Sequence, residues 1–143
     1  MKKKIVIIFI VVIIGILLVN FSSDKSEKMN SAIFHVTLAD PDLYINGVYA
    51  EKFTIDKGQY SFRFVPNGSS PEILSISING KNFDFSENFK LQSTLHETEI
   101  SEYFTWEYEG GKIIEISEIQ EVSIIINPNG NVIGSVSVDI LEN

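Results

Sequence analysis

The stretch Phe53 to Ile78, FTIDKGQYSFRFVPNGSSPEILSISI, returns as a near copy at Ile114 to Ile140, and this duplication constrains the fold more than any other feature of the chain. Setting Pro66-Asn67-Gly68 on Pro128-Asn129-Gly130 pairs Phe62, Phe64, Leu74, Ile76 and Ile78 with Ile124, Ile126, Val136, Val138 and Ile140, at an offset of 62 residues without a gap. One inserted residue extends the match back, so that Phe53 and Ile55 fall on Ile114 and Ile116. In each copy apolar residues alternate with polar ones, the period of a strand with one buried face. Proline has no amide to donate to a ladder, so each PNG run interrupts the pattern. Each copy therefore reads as strand, turn, strand, PNG loop, strand, and the duplicated halves are expected to build the two sheets of a β-sandwich.

The rest of the domain fits that reading. Ala32 to Leu38 alternates Phe34, Val36 and Leu38 with Ile33, His35 and Thr37. Asn46-Gly47 and Asn79-Gly80 are tight-turn signals, and Phe83, Phe85, Phe89 and Leu91 continue the alternation after the second of them. Gln92 to Glu102 is polar and reads as the longest irregular stretch. Tyr103 to Tyr108 reads as a strand whose Phe104, Trp106 and Tyr108 share a face, the pattern of a core. About nine to eleven short strands without an amphipathic helix predict an all-β fold, a jelly-roll-like β-sandwich over residues 32–143.

The N-terminus is of another kind. Lys2 to Lys4 precede an uncharged run, Ile5 to Val19, whose length as a helix is roughly 22 Å against a hydrocarbon core of about 30 Å. No small-x-small cleavage signal follows closely, and the chain has no cysteine to accept a lipid. Residues 1–21 are therefore expected to be one transmembrane anchor or uncleaved signal, and residues 22–31 a polar tether. The lysines place the N-terminus in the cytoplasm and the domain outside the cell membrane. From Asn30 onward 6 Lys or Arg stand against 17 Asp or Glu, a formal net charge of −11. Such a surface argues against nucleic acid, which requires basic patches to displace counterions.

No catalytic signature stands out. His96-Glu97-Thr98-Glu99-Ile100 begins like a zinc-protease helix but lacks the second histidine, and His35 sits in a strand as a surface or edge residue. No nucleophile elbow, P-loop or Cys-His pairing occurs. Asp40, Asp42 and Glu51 fall at positions one, three and twelve of a calcium loop, although Tyr44 and Ile45 occupy positions five and six, where an oxygen ligand and a glycine belong. Glu97, Glu99 and Glu102 form a second acidic group. Tyr44, Tyr49 and Tyr103 lie in or beside loops and are the candidates for exposed aromatics that stack on a ligand. Asn67-Gly68-Ser69 is a glycosylation sequon in a surface loop, with Asn67 the acceptor.

The strand KGQYSFRF and the hairpin SISINGK, within Phe53 to Gly80, resemble the galactose-binding-like β-sandwiches that include carbohydrate-binding modules. That resemblance implies a jelly roll and leaves the family's ligand residues without matching positions here. The whole chain is also similar to small, singly anchored exported proteins of archaea, which implies location and fold rather than an activity. Two expectations follow. The first is a non-enzymatic envelope protein whose domain contacts a protein partner through its loops. The second is a ligand-binding module for carbohydrate or calcium, with no other cofactor.

Overall fold

In the computed structural model, which describes residues 31–143, alternation resolves into nine strands: β1 (Ala32–Leu38), β2 (Tyr49–Ile55), β3 (Gly58–Pro66), β4 (Ile73–Gly80), β5 (Asp84–Glu97), β6 (Glu102–Glu109), β7 (Ile113–Ile116), β8 (Gln120–Asn127) and β9 (Val136–Glu142). They form two antiparallel sheets, ordered β1-β9-β3-β7 and β2-β8-β4-β5-β6, that pack as a β-sandwich. Successive side chains of a strand point to opposite faces, so every second residue goes inward. The centre of the core is Leu74, Ile76 and Ile78 of β4, Val122, Ile124 and Ile126 of β8, and Val136, Val138 and Ile140 of β9, each no more than 1% exposed. Phe64 fills one side, with ring centroids 4.8 Å from Phe89 and 5.2 Å from Tyr108.

The two copies do not divide between the sheets. Within a copy every connection crosses the sandwich, from β2 to β3 to β4 and from β7 to β8 to β9. Exchanging the copies nevertheless maps ladder onto ladder in register. Phe62 stands opposite Ile140 as Ile124 stands opposite Ile78, and Phe64 opposite Val138 as Ile126 opposite Ile76. Likewise Gly58 pairs with Ile116 as Gln120 pairs with Ile55, and Tyr60 with Ile114 as Val122 with Phe53. This is the relation of a pseudo-two-fold that swaps the sheets. It extends to strands with no repeated sequence: Phe34 and Leu38 of β1 face Ile140 and Val136, as Phe85 and Phe89 of β5 face Ile78 and Leu74. Among the described strands only β6 has no counterpart.

The ladders also fix the two ends. The Glu142 amide donates to the Ser31 carbonyl, so the chain enters where β9 finishes. β1 runs away from that entry, ending with Leu38 opposite Val136. The turn at residues 39–48 and both PNG loops therefore lie at the far end. β5 pairs with β4 only as far as Lys90, opposite Ile73; beyond it, Leu91 to Glu97 pair with β6 alone. The result is a two-stranded arm extending roughly 20 Å past the far end.

The arm corrects one expectation. Gln92 to Glu97 is strand and only residues 98–101 turn, because the middle of the segment stands opposite β-prone partners, Ser93 with Trp106, Thr94 with Thr105, Leu95 with Phe104 and His96 with Tyr103. The expected anchor, residues 1–21, and all but the last residue of the tether, 22–31, lie outside the described residues. No helix among the described residues is long and apolar enough to cross a membrane.

Candidate functional site

The far end is built on the PNG loops, which hold each other. Asn67 Nδ2 donates to Ser135 Oγ at 2.8 Å, and Asn129 Nδ2 donates to the Ile73 carbonyl at 3.0 Å. The positions joined correspond under the 62-residue offset, although the acceptor is a serine hydroxyl in one bond and a backbone carbonyl in the other. Asn131 Nδ2 also reaches the Ser69 carbonyl at 3.1 Å, and the Ser70 hydroxyl, nearly buried, donates to the Ser135 carbonyl at 2.5 Å. Asn67 Oδ1 accepts from the Ser69 amide at 2.8 Å. The expected glycosylation acceptor is thus exposed, and its amide nitrogen already bridges the loops.

Trp106 of β6 lies over the first loop. A Cβ placed on Gly68 would meet its indole at 3.1 Å, so the ring lies against bare backbone. Beside it runs a groove of about 390 Å³, whose apolar wall is Phe62, Phe64, Trp106 and Tyr108 and whose rim carries Arg63, Thr105, Glu107 and Lys112. Lys112 Nζ donates to Glu107 Oε1 at 2.9 Å, which holds the Glu107 carboxyl below its ordinary range. The groove exists because β7 is short. It pairs with β3 through Gly58 to Ser61, and the Lys112 carbonyl takes the Phe62 amide, after which that side of β3 is uncovered. Tyr108 closes the groove's base, its hydroxyl donating to the Pro71 carbonyl at 2.5 Å.

Along β6 burial fades outward. Tyr108 is fully buried, Trp106 half-buried and Phe104 56% exposed. Phe104 and Trp106 were expected in the core with Tyr108; they share its face, but β3, the nearest strand of the opposite sheet, does not extend far enough to cover them. Leu95, opposite Phe104, and Ile100 at the turn are exposed as well. On the other face His96 stacks on Tyr103 at 4.9 Å and its Nε2 lies 2.8 Å from the Thr105 hydroxyl.

The residues singled out in the sequence form no single site, although Tyr49 meets Glu51 and Asp40 meets Asp42. Tyr103 is exposed on the arm. Tyr44 packs against the core with its hydroxyl buried and without a hydrogen-bond partner among the described residues, and burial raises its pKa. Tyr49 donates to Glu51, and partial burial together with that carboxylate pushes its phenol up to about 12. Asp40 Oδ1 accepts from the Asp42 amide at 2.9 Å and caps a single 3-10 turn, Pro41–Leu43. Asn46 and Gly47 take positive φ, 52° and 81°, in a two-residue turn closed by the Ile45–Val48 bridge. Among the described residues no three His, Asp or Glu side chains gather closely enough to hold a metal ion, whether from Asp40, Asp42 and Glu51 or from Glu97, Glu99 and Glu102.

Sequence reasoning missed one cluster. Asp139 faces outward from β9 yet is 2% exposed, covered by His35 of β1 and Arg63 of β3. Its Oδ1 lies 2.5 Å from His35 Nδ1, and its Oδ2 accepts from Arg63 Nε at 2.9 Å and Nη2 at 2.8 Å. Burial pushes the carboxyl up, but the His35 and Arg63 contacts outweigh it and hold the pKa below the ordinary range. Thr37 Oγ1 sits 3.3 Å from His35 Nε2, an order of groups that resembles a hydrolase relay. It lies on an open sheet face, and the groove borders only Arg63 of its members. The arrangement is a cross-strand brace. The signal for it was the lone arginine of the chain lying on a strand whose partner carried the lone aspartate of β9.

Compared with protein-family models, curated proteins and solved structures, the chain matches none.

Proposed function

We propose that this chain is a membrane-anchored, non-enzymatic envelope protein whose extracytoplasmic domain binds a partner protein through the end remote from its anchor. One observation carries the reading. Of the eleven large apolar side chains that the described residues leave exposed, all but Ile113 and Ile119 lie at the far end or on the arm. Scattered exposed apolar residues need no explanation, whereas a concentration at one end marks a contact surface. Lys2 to Lys4 and the apolar run Ile5 to Val19 support the anchor, and the strand order supports a jelly roll with β6 added at one edge. A tether attached at the opposite end presents this surface away from the membrane.

A photo-activatable residue at Phe104, compared with one at Ile119, tests the reading in cells. A discrete adduct with one envelope protein from Phe104 alone is expected. Equal, diffuse labelling from both positions contradicts it.

The half-exposed Trp106 beside the groove favours a second reading, a carbohydrate site in which the indole stacks on a sugar. A glycan panel that leaves the melting temperature and Trp106 emission unchanged removes it. Calcium at Asp40, Asp42 and Glu51 is tested by the same melt in millimolar calcium.

A further inference from the structure

We infer that the free edge of β6 accepts an extended, lysine- or arginine-bearing strand of the partner protein, which adds to the five-stranded sheet as a sixth strand. The inference rests on the protein-contact reading above and names the partner's chemistry. The turn bond from the Thr98 amide to the Ser101 carbonyl fixes which residues of β5 and β6 face each other through backbone bonds. Alternation then directs the backbones of Tyr103, Thr105 and Glu107 to β5, and those of Glu102, Phe104 and Trp106 to the open side. The Leu91 amide agrees: opposite Tyr108, it turns away from β6 and donates to the Glu72 carbonyl. Glu102, Phe104 and Trp106 therefore offer a row of backbone donors and acceptors beside two large apolar rings. Main-chain groups in a row recognise another extended chain, and alternate side chains supply its specificity.

Charge decides which chain. Leu91 to Glu109 holds five glutamates, Glu97, Glu99, Glu102, Glu107 and Glu109, and no lysine or arginine. A second copy pairing along this edge would set five further glutamates beside these five with no lysine or arginine among them, so like charge opposes self-pairing. A strand alternating apolar residues with Lys or Arg meets Phe104 and Trp106 on one face and sets its cations beside Glu107 and Glu109 on the other.

Trp106 is the only tryptophan and reports directly. The full chain in detergent is titrated with capped octapeptides alternating Lys or Arg with Val, Leu or Phe, with Glu in place of the cations, or with N-methyl groups on alternate amides. The basic peptides are expected to shift Trp106 emission at least tenfold more tightly than the acidic ones. N-methylation of the set facing β6 abolishes the shift, and Phe104→Thr, its melt checked, weakens it at least fivefold. Absence of binding by every basic peptide, or equal binding after either methylation pattern, overturns strand addition. If the peptides fail while Phe104 still cross-links one protein in cells, strand addition falls and the protein contact stands; if that adduct is also absent, both fall.

Discussion

The duplicated strands and the β5–β6 arm use similar residues to opposite ends. In the duplicated part, each apolar residue that alternation points inward meets the opposite sheet, and Ile78, Ile124 and Ile140 are wholly buried. On the arm the same alternation continues through Tyr108, Trp106 and Phe104, but the opposite sheet stops and the side chains emerge into solvent. Periodicity therefore states which face of a strand is apolar, and the length of neighbouring strands decides whether that face is core or surface. The difference separates a part built for stability from one whose apolar face serves another purpose.

Core truncation sharpens the comparison most. Ile78→Ala and Ile140→Ala, made at positions related by the offset of 62 and both wholly buried, should each cost about 2–5 kcal/mol in denaturant unfolding. Similar losses at both are expected because the ladders around them correspond; a loss at one alone breaks the pseudo-symmetry.

The brace ranks next. Asp139→Ala should cost about 1–3 kcal/mol, since it removes charge-assisted hydrogen bonds from a buried acceptor. Folding holds this carboxyl below its ordinary 3.8, so the native state binds fewer protons than the unfolded chain in acid. Its contribution is complete above the unfolded value and is lost as pH falls through the lower native value. Melts between pH 5 and 2 should show a steeper fall for the parent than for Asp139→Asn.

Arm substitutions should be smaller still. Phe104→Thr and Leu95→Thr are each expected to change stability by no more than about 0.5 kcal/mol, as exposed positions do, and Leu95→Thr is expected to weaken the adduct formed from position 104. A large loss of stability would place Phe104 in the core and erase the contrast. Smallest of all, Gly68→Ala should leave the melt nearly unchanged but shift Trp106 emission, because the new methyl presses on the indole at 3.1 Å.

Much of the fold was legible. The 62-residue repeat, the alternation in Ala32 to Leu38 and the Asn46-Gly47 turn each predicted what the structure holds. The repeat did not disclose that its strands cross between sheets, because a PNG loop reads the same in a hairpin and in a crossover. Nor could it disclose that β1 stands to β9 as β5 stands to β4, since pairing across the chain leaves no trace in local pattern. Gln92 to Glu97 looked irregular because its strand is defined by its partners in β6. The site was less legible. Tyr103 was placed outward correctly, but Tyr44 sits in a loop and still buries its hydroxyl. The groove depends on where β7 ends, which is a fact of three dimensions.

Residue-resolved hydrogen exchange of the full chain tests the division between sandwich and arm most directly. Exchange reads local opening free energies from nearly zero to the global value. Amides of β3, β4, β8 and β9 in the core ladders are expected to exchange last and together, with equal protection at positions related by the offset of 62. Amides of the arm beyond Lys90 should exchange on the order of a hundredfold faster or more. Arm protection equal to that of β8, or separate opening of the two copies, would contradict it.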